Sequence, residues 1–332
     1  MSKISSLVNE SREVIMKDGS FILPSRYQEN GKLREVPSRG CRVNLVALGD
    51  VGGTVLLGLR LLGEETIDSI GIYDLNPALL RRYEREINQV NYPDGRKLPN
   101  VEIIDQDKLF DCDMFVFCAS KGVPPVGTSG DVRMAQLEAN KGLVSIYAKQ
   151  AVSDKFQGIF AVVSDPVDPL CKAALVCGLE PGQFRGYGLG VMNGRARYYA
   201  EKEDRFSQYL GEGRAFGPHG EDLVVADSVK NYNDDLSKEL TELTVTSNMK
   251  TREDGFKPYI APAMSSGALS LIATLRGDWH YSSLYFGEGS EGAFLGCRNR
   301  RINNGNEIEN LELDPVLFER ITKAYSNLIK LG

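Results

Sequence analysis

Apolar runs and helical stretches alternate along the first half of the chain. Five strand-like runs lie at residues 42–48, 69–73, 101–104, 114–118 and 159–163. Apolar residues at helical spacing follow several of them, as at 54–62 and 132–144. Strands that alternate with helices are typical of a parallel sheet covered by helices. The pattern therefore predicts an α/β fold for this half.

The second half has a different pattern. It contains apolar residues at helical spacing in 194–210, 258–276 and 314–331, and a predicted antiparallel hairpin of 279–286 with 293–297. Helices with one late hairpin predict a smaller α+β domain. Proline and glycine break residues 1–40 often enough that only short elements are expected there. We therefore divide the chain into an extension at 1–40, an α/β domain at 41–185 and an α+β domain at 186–332.

Composition excludes several classes of protein. The 332 residues are 42% apolar and 25% charged, as in ordinary globular proteins of about two domains. Lysine and arginine number 39 against 45 acidic residues, a net charge of −6, whereas nucleic-acid binders are usually basic. No run approaches the ~20 apolar residues of a membrane helix, and the amino terminus lacks the apolar block of a signal peptide. We expect neither a nucleic-acid nor a membrane partner.

Cysteine and histidine are too few and too scattered for a metal centre. The six cysteines form no CxxC pair, and there are only two histidines. This spacing supports neither a zinc site nor a disulfide framework. We expect reduced thiols, no bound metal and a cytoplasmic protein.

A glycine-rich turn follows the first strand of the α/β half. Residues 47–52, Ala-Leu-Gly-Asp-Val-Gly, fit the dinucleotide pattern GxGxxG with alanine in first place, and they lie between a strand and a helix. Gly49 lets the backbone approach a pyrophosphate, and Gly52 lets the helix pack close to the strand. The free N–H groups of the helix start, at Asp50 and Val51, favour bound phosphate.

An acidic residue at the end of the second strand supports the same interpretation. Asp74 lies near the spacing expected for an acid that binds the adenosine ribose. Its carboxylate repels a 2′-phosphate, which favours NAD over NADP. Ala119, after the strand-like run 114–118, completes the predicted cofactor-binding set. The alternative is an ordinary glycine turn with a solvated aspartate.

Four further segments extend the pattern. They are 122–133 leading to Asn140, 162–168, 188–197 and 217–222. Together with the glycine turn, and in this order, they resemble the NAD-dependent lactate/malate dehydrogenase family. The resemblance implies a Rossmann domain, which is a doubly wound parallel sheet, followed by a substrate domain. It also implies NAD as cofactor, a small carboxylic acid as substrate, and a homodimer or homotetramer.

The resemblance also assigns roles to residues. His219, in Gly-Pro-His-Gly, matches the catalytic acid/base, since an imidazole exchanges protons near neutral pH. Arg197 matches the arginine that holds the substrate carboxylate through two parallel hydrogen bonds. We interpret Arg195, two residues away on the predicted helix, as its solvated neighbour. Arg133 matches the arginine of a mobile loop that polarises the substrate carbonyl.

Two more residues join the predicted substrate site. They are Asn140 and Ser265, the latter opposite the mobile loop or, alternatively, only a hydroxyl at a helix start. Malate-type members carry an arginine early in the loop, where this chain has Pro-Pro-Val at 124–126. A second substrate carboxylate would lose its counter-charge, so a monocarboxylate is favoured over malate or oxaloacetate.

The chain departs from the family pattern at two positions. Gly194, beside Asn193, stands where the family has the aspartate that orients the histidine, three residues before position 197. Asp165 stands where the family has an asparagine before Pro-Val-Asp168. We hypothesise that Asp165 takes over part of the support of His219, and that Asp168 orders the backbone.

These departures leave three interpretations open. The first is an oxidoreductase of a 2-oxo or 2-hydroxy monocarboxylic acid. The second is reduction of an amino or imino acid, because the carboxylate of Asp165 attracts an ammonium or iminium group. The third is a catalytically impaired NAD-binding pseudoenzyme, since loss of an orienting carboxylate can cost orders of magnitude in rate.

Overall fold

A computed structural model describes residues 2–8, 15–24, 36–121, 132–288, 291–303 and 305–331, with only the backbone for residues 132–136. The described strands are β1 (Ile15–Lys17), β2 (Ser20–Pro24), β3 (Cys41–Val46), β4 (Ile67–Tyr73), β5 (Asn100–Ile103), β6 (Met114–Phe117), β7 (Ile159–Val162), β8 (Phe184–Gly186), β9 (Arg214–Phe216), β10 (Val224–Ala226), β11 (His280–Phe286), β12 (Ala293–Ile302) and β13 (Gly305–Glu309).

The helices lie between these strands. They are α1 (Asp50–Leu62), α2 (Pro77–Asn88), α3 (Val132–Ser153), α4 (Val167–Leu175), α5 (Leu189–Lys202), α6 (Tyr209–Glu212), α7 (Asp234–Glu253), α8 (Leu269–Arg276) and α9 (Pro315–Leu331). A π-helical segment, Pro262–Ala268, leads directly into α8. Short 3₁₀ turns complete the connections.

Six parallel strands form the predicted sheet. Their spatial order is β5-β4-β3-β6-β7-β8, and every neighbouring pair is parallel. Numbered from the first of them, this is the order 3-2-1-4-5-6 of a doubly wound Rossmann sheet. The predicted fold class is confirmed. The order reverses between β3 and β6, so a crevice opens where the glycine turn leaves β3.

Burial explains why these sequences form strands. The side chains of β6 and β7 are buried along their whole length, as expected for strands covered on both faces. One apolar cluster, which includes Val43, Leu45 and Val55, packs α1 and α8 against the sheet. A second, which includes Phe115, Phe160 and Val144, packs α3 and α4 against the other face. The alternating pattern of the sequence thus corresponds to two helical layers.

The second half of the chain extends the same sheet. Strand β11 pairs antiparallel with β8 at Ser283 and Gly186, and then with β12, as the predicted hairpin required. β13, β2 and β1 follow, so the described strands form one sheet of eleven and a separate ribbon of β9 and β10. The division of the chain at residue 186 stays a prediction, since the sheet continues through β8.

The amino-terminal segment contributes two of these strands. β2 pairs with β13 over five positions, from Gly305 with Pro24 to Glu309 with Ser20. Phe21 and Leu23 are buried in the cluster that α9 covers. Residues 15–24, within the predicted extension at 1–40, therefore form an integral edge of the sheet.

One buried arginine ties the two halves of the sheet together. Arg185 of β8 is 1% exposed, and it donates to Ser282 of β11 at 3.2 Å and to Asn299 of β12 at 2.7 Å. It also donates to Asn306 of β13. Burial lowers the pKa of this guanidinium to about 10. The side chain spans four strands with neutral partners.

All six cysteines lie in described segments and carry free thiols. Within the same segments, no helix combines the length and the apolar character that crossing a bilayer requires.

Candidate active site

The glycine turn connects β3 to α1 as predicted. Gly49 is the residue before α1, and no side chain caps the first helical turn. A Cβ at Gly49 would meet no atom within 4 Å, whereas one at Gly52 would lie 1.9 Å from the carbonyl oxygen of Ala47. Gly49 thus leaves the helix start open, and Gly52 permits the close approach of helix and strand. Ala47, in first place of the pattern, has a left-handed φ of 71°.

The carboxylate of Asp74 stabilises the glycine turn through hydrogen bonds to the backbone. Its Oδ2 accepts the N–H of Leu48 at 2.8 Å, and its Oδ1 accepts the N–H of Asn76 at 2.8 Å. The carboxylate therefore lies beside the glycine turn, at the carboxyl end of β4. Ala119, after β6, is buried nearby in the sheet core.

Asp50 in the first turn of α1 has a distant partner. Its Oδ2 lies 2.9 Å from Nζ of Lys257, which precedes the π-helical segment. Both side chains are largely exposed. A cation from the second half of the chain therefore stands at the open helix start, a role that the sequence analysis did not predict.

His219 and Asp165 come together at the carboxyl edge of the sheet. Nδ1 of the imidazole lies 3.1 Å from Oδ1 of Asp165. Nε2 of His219 is buried and has no hydrogen-bond partner among the described residues. The contact places a carboxylate on one ring nitrogen and leaves the other for a reacting group.

Asn140 fixes the backbone around this pair. From α3, its Nδ2 donates to the carbonyl of Asp165 at 2.9 Å, and its Oδ1 accepts the N–H of Lys121 at 2.9 Å. It is fully buried. The amide joins the loop after β7 to the loop after β6. Asn140 thus lies at the site through contacts to the backbone, and its predicted contact with substrate stays a prediction.

The two arginines of α5 have opposite surroundings. Arg195 is 9% exposed, its Nη1 lies 3.6 Å from Sδ of Met192, and it interacts electrostatically with Asp165. Burial lowers its pKa. Arg197 is about half exposed, and its guanidinium reaches the carbonyl of Leu210 at 3.4 Å and Glu201 at 3.9 Å.

The prediction that Arg195 is a solvated neighbour was wrong. Met192, Arg195, Ala196 and Tyr199 are buried at helical spacing, so the face of α5 that packs inward includes position 195. Position 197 lies off that face. The spacing of the apolar residues on α5 was the signal for this burial. The predicted contact of Arg197 with the substrate carboxylate stays a prediction.

Ser265 lies beside Gly194. Its Oγ would be 3.6 Å from a Cβ built at that glycine. The neighbouring Ser266 was not predicted, yet its hydroxyl accepts the N–H of Val191 at 2.8 Å and donates to the carbonyl of Gly188 at 2.8 Å. The π-helical segment is thereby fixed against the start of α5.

A cavity of about 140 Å³ connects the glycine turn to the histidine. Its lining comprises Val51, Cys118, Ser120, Val163, Ser164, Asp165, Tyr187, Gly188, Val191, His219, Pro262 and Ser266. Of the predicted residues, Val51, Asp165 and His219 thus line the same cavity. We call this space the inner cavity.

Asp168 supports the loop that carries His219. It is 3% exposed and accepts hydrogen bonds from the hydroxyl of Ser283 and the backbone N–H of His219. Burial raises its pKa to about 6. This agrees with the predicted ordering of the backbone, and it adds a titratable group next to the histidine.

Part of the predicted site lies outside the described residues. This applies to the loop 122–131 and to the side chain of Arg133. The role of Arg133 therefore stays a prediction.

Known sequences resemble part of the chain. It is 30% identical over 186 residues to an L-lactate dehydrogenase of Treponema denticola, which is 56% of each protein. It is 26% identical over 207 residues to an L-lactate dehydrogenase of Corynebacterium glutamicum, 60% of this chain and 62% of that one. The matches span little more than half the length of these relatives. No family model matches the chain.

Solved structures resemble nearly all of it. A lactate dehydrogenase from a deep-sea metagenome library of the Medee basin has a TM-score of 0.73 at 18% identity, covering 88% of this chain and 98% of the other. A malate dehydrogenase of Archaeoglobus fulgidus in complex with NADH has a TM-score of 0.69 at 18% identity, covering 87% and 98%. At such identities the likeness shows the fold.

Proposed function

Because the chain is a divergent member of the lactate/malate dehydrogenase family, we propose that it is an NAD-dependent oxidoreductase. It interconverts a small 2-oxo monocarboxylic acid and the 2-hydroxy acid. The observation that carries this proposal is the pair of His219 and Asp165 in the lining of the inner cavity, next to the glycine turn, with the buried Arg195 in electrostatic contact with Asp165.

The described residues fit a dinucleotide. Gly49 leaves open space in front of the uncapped start of α1, whose N–H groups suit a pyrophosphate. Asp74 stands at the end of β4, where a ribose hydroxyl would reach it. From there the inner cavity leads to His219. When bound, the nicotinamide coenzyme supplies or accepts a hydride.

His219 moves the proton. In the reducing direction, a 2-oxo acid, a hydride and a proton give the 2-hydroxy acid. Asp165 holds Nδ1 of the imidazole, so Nε2 is the atom that gives its proton to the carbonyl oxygen. The carboxylate also fixes the orientation of the imidazole ring.

Arg195 binds the substrate carboxylate. Its guanidinium is buried, and a planar fork of donors matches a carboxylate through two parallel hydrogen bonds. Burial strengthens the interaction because little water screens it. The role proposed for Arg133 is to polarise the substrate carbonyl.

Asp165 favours a second candidate, reduction of an imino acid. Its side chain is half exposed and lies against His219 at the reacting centre. A carboxylate there attracts an iminium group and opposes a developing alkoxide. The same residues then act on a carbon–nitrogen double bond that forms from a 2-oxo acid and ammonia.

The test is NADH absorbance in the presence of single 2-oxo acids, with and without ammonia. Turnover without ammonia that is lost in His219→Gln supports the main proposal, and ammonia-dependent turnover supports the second. NADH binding without any turnover identifies the pseudoenzyme instead. Asp165→Asn separates the first two further, because it lowers the ratio of imine to carbonyl reduction only if the charge selects the substrate.

A further inference from the structure

A second cavity lies on the far side of His219. It has a volume of about 370 Å³ and lies between the loop that carries His219, the start of α4 and the end of α9. His219 lines both this outer cavity and the inner cavity. The outer cavity therefore adjoins the proposed reacting centre, and nothing in the mechanism above uses it.

About half of the residues that line the outer cavity are apolar. Leu137, Val167, Pro218 and Leu328 are buried residues of its lining. A cavity of about 150 Å³ lined by such side chains is large enough for benzene. The outer cavity is more than twice as large, so it accommodates an aromatic ring with its linker, or a fused two-ring system.

Three carboxylates, those of Asp168, Glu221 and Asp222, lie among the polar residues of the lining, together with His219, Asn327 and Lys330. Asp168 is the most buried of the three, at 3% exposed. A hydrogen bond to a charged acceptor is stronger than one between neutral groups. The carboxylates beside the apolar residues thus favour a ligand with an apolar body that ends in a hydrogen-bond donor.

We propose that the outer cavity receives the substrate side chain, and that the preferred substrate is a 2-oxo acid with a bulky, largely apolar side chain that ends in a hydrogen-bond donor, such as a hydroxyaryl or indolyl group. This inference rests on the proposed function. The acid group lies at Arg195, the carbonyl at His219, and the side chain extends past the imidazole toward Asp168. A substrate as small as pyruvate leaves the cavity unfilled.

A substrate series tests the assignment. Steady-state kcat/KM is measured with NADH and pyruvate, phenylpyruvate, 4-hydroxyphenylpyruvate or indolepyruvate. We expect the aromatic substrates to exceed pyruvate at least tenfold, and 4-hydroxyphenylpyruvate to exceed phenylpyruvate. A preference for pyruvate, or no difference between the two phenyl substrates, overturns the assignment.

A variant at the rim of the outer cavity provides a second test of the proposal. Leu331, at the end of α9, lines the cavity and is 41% exposed, so a larger side chain there can be tolerated. We expect Leu331→Trp to lower kcat/KM for the aromatic substrates at least tenfold and to leave pyruvate within twofold. Val316→Trp is the matched control, because Val316 is 46% exposed on the same helix and outside the cavity lining. Equal losses with all substrates contradict the proposal.

Failure of the proposed function gives a different result. If no 2-oxo acid is turned over, the oxidoreductase proposal fails, and calorimetry then measures binding of 4-hydroxyphenylpyruvate to wild type and Leu331→Trp. Weaker binding to the variant keeps the outer cavity as a site for this class of ligand. Equal affinities, or no binding, overturn it.

Discussion

Arg195 and Arg197 lie two positions apart on α5, but they differ in burial and in the residues they contact. Arg195 is buried with Met192 and near Asp165, while Arg197 faces solvent and Glu201. Burying a charged guanidinium costs desolvation free energy, and a bound substrate carboxylate offsets that cost. This asymmetry separates a binding role from a surface role.

Matched substitutions of these arginines should differ in effect. Arg195→Lys loses the second parallel hydrogen bond to the substrate carboxylate, so we expect kcat/KM to fall about 10- to 100-fold. Arg197→Lys keeps an exposed charge, and we expect a change of less than twofold. Steady-state kinetics on the best 2-oxo acid measures both. A large loss in Arg197→Lys with a small one in Arg195→Lys would restore the original assignment.

Ala47 has a left-handed backbone at φ 71°, a region that disfavours any residue with a Cβ. Ala47→Gly removes this cost in the folded state, while the added freedom of glycine in the unfolded state offsets part of it. We expect a gain of about 1 kcal/mol in the free energy of unfolding, measured with urea. Ala78→Gly, at an exposed position in α2, is the control and should lose about 1 kcal/mol.

Asp168 makes stability depend on pH. Burial raises its pKa from 3.8 to about 6, so between these values the folded protein binds more protons than the unfolded chain. Stability from this group is then present at low pH and is lost as pH rises through 6. We expect Asp168→Asn to gain stability over wild type between pH 4 and 7, by at most about 3 kcal/mol, and to keep that gain above pH 7. Urea denaturation measures the free energies of unfolding of both proteins. A difference between wild type and Asp168→Asn that is the same at every pH in this range would refute the effect.

At the scale of elements, the start of α1 joins the two halves of the chain. Lys257 comes five residues before the π-helical segment and reaches Asp50 at 2.9 Å. A cation there attracts the phosphates of a coenzyme, and the carboxylate of Asp50 opposes them. The same segment that carries Lys257 continues into Pro262 and Ser266 of the inner cavity wall.

Coenzyme binding should therefore respond to Lys257. We expect Lys257→Gln to raise the Kd of NADH about three- to tenfold, and Asp50→Asn to lower it, because both side chains are exposed and partly screened. NADH fluorescence titration measures these constants. Lys238→Gln, which breaks a similar exposed pair with Asp234 on α7, is the control and should leave the Kd unchanged. Unchanged binding in Lys257→Gln would exclude a role at the phosphates.

The sequence predicted the elements whose burial is periodic or complete. Strands β3, β4, β6 and β7 are apolar runs, and α9 has a regular apolar stripe after Asp314. β13 was missed because its sequence, Gly-Asn-Glu-Ile-Glu, is polar, and its burial comes from partners on neighbouring strands. α7 was missed because few of its side chains are buried.

The sequence predicted those residues of the candidate site that lie in short local motifs. Gly49, Gly52 and His219 lie in short patterns that fix their own backbone. The pairing of His219 with Asp165 is a tertiary contact, which the sequence analysis supported only as a hypothesis. Lys257 stands 207 residues from Asp50, and no local pattern records such a pair.

At the scale of the whole molecule, the sheet runs from β5 to β1 without a break. The amino-terminal hairpin covers the edge of β13 and adds Phe21 and Leu23 to the core under α9. Ser20 also donates to Glu307 of β13 at 2.7 Å. Residues 15–24 are therefore part of the same folded body as the second half of the chain.

Deletion of residues 1–24 tests this role. It exposes the unpaired backbone groups of β13 and removes the burial of Ile4, Phe21 and Leu23. We expect the truncated protein to lose several kcal/mol of stability, from the ~2 kcal/mol that each large apolar side chain contributes on burial, and to form aggregates. Thermal unfolding and size-exclusion chromatography measure both effects. A monodisperse truncated chain with unchanged Tm would show that the hairpin is dispensable.

The hairpin of β1 and β2 lies at the edge of the sheet, so it can be separated from the rest of the fold. Among the described residues, its backbone pairs with the rest of the sheet through the single ladder of β2 with β13, and its outer strand β1 is only three exposed residues long. A synthetic peptide of this segment, added to the shortened chain, has a ready groove to occupy. The protein is thereby suited to fragment complementation, in which recovery of the native fold reports that two fused baits have brought the pieces together.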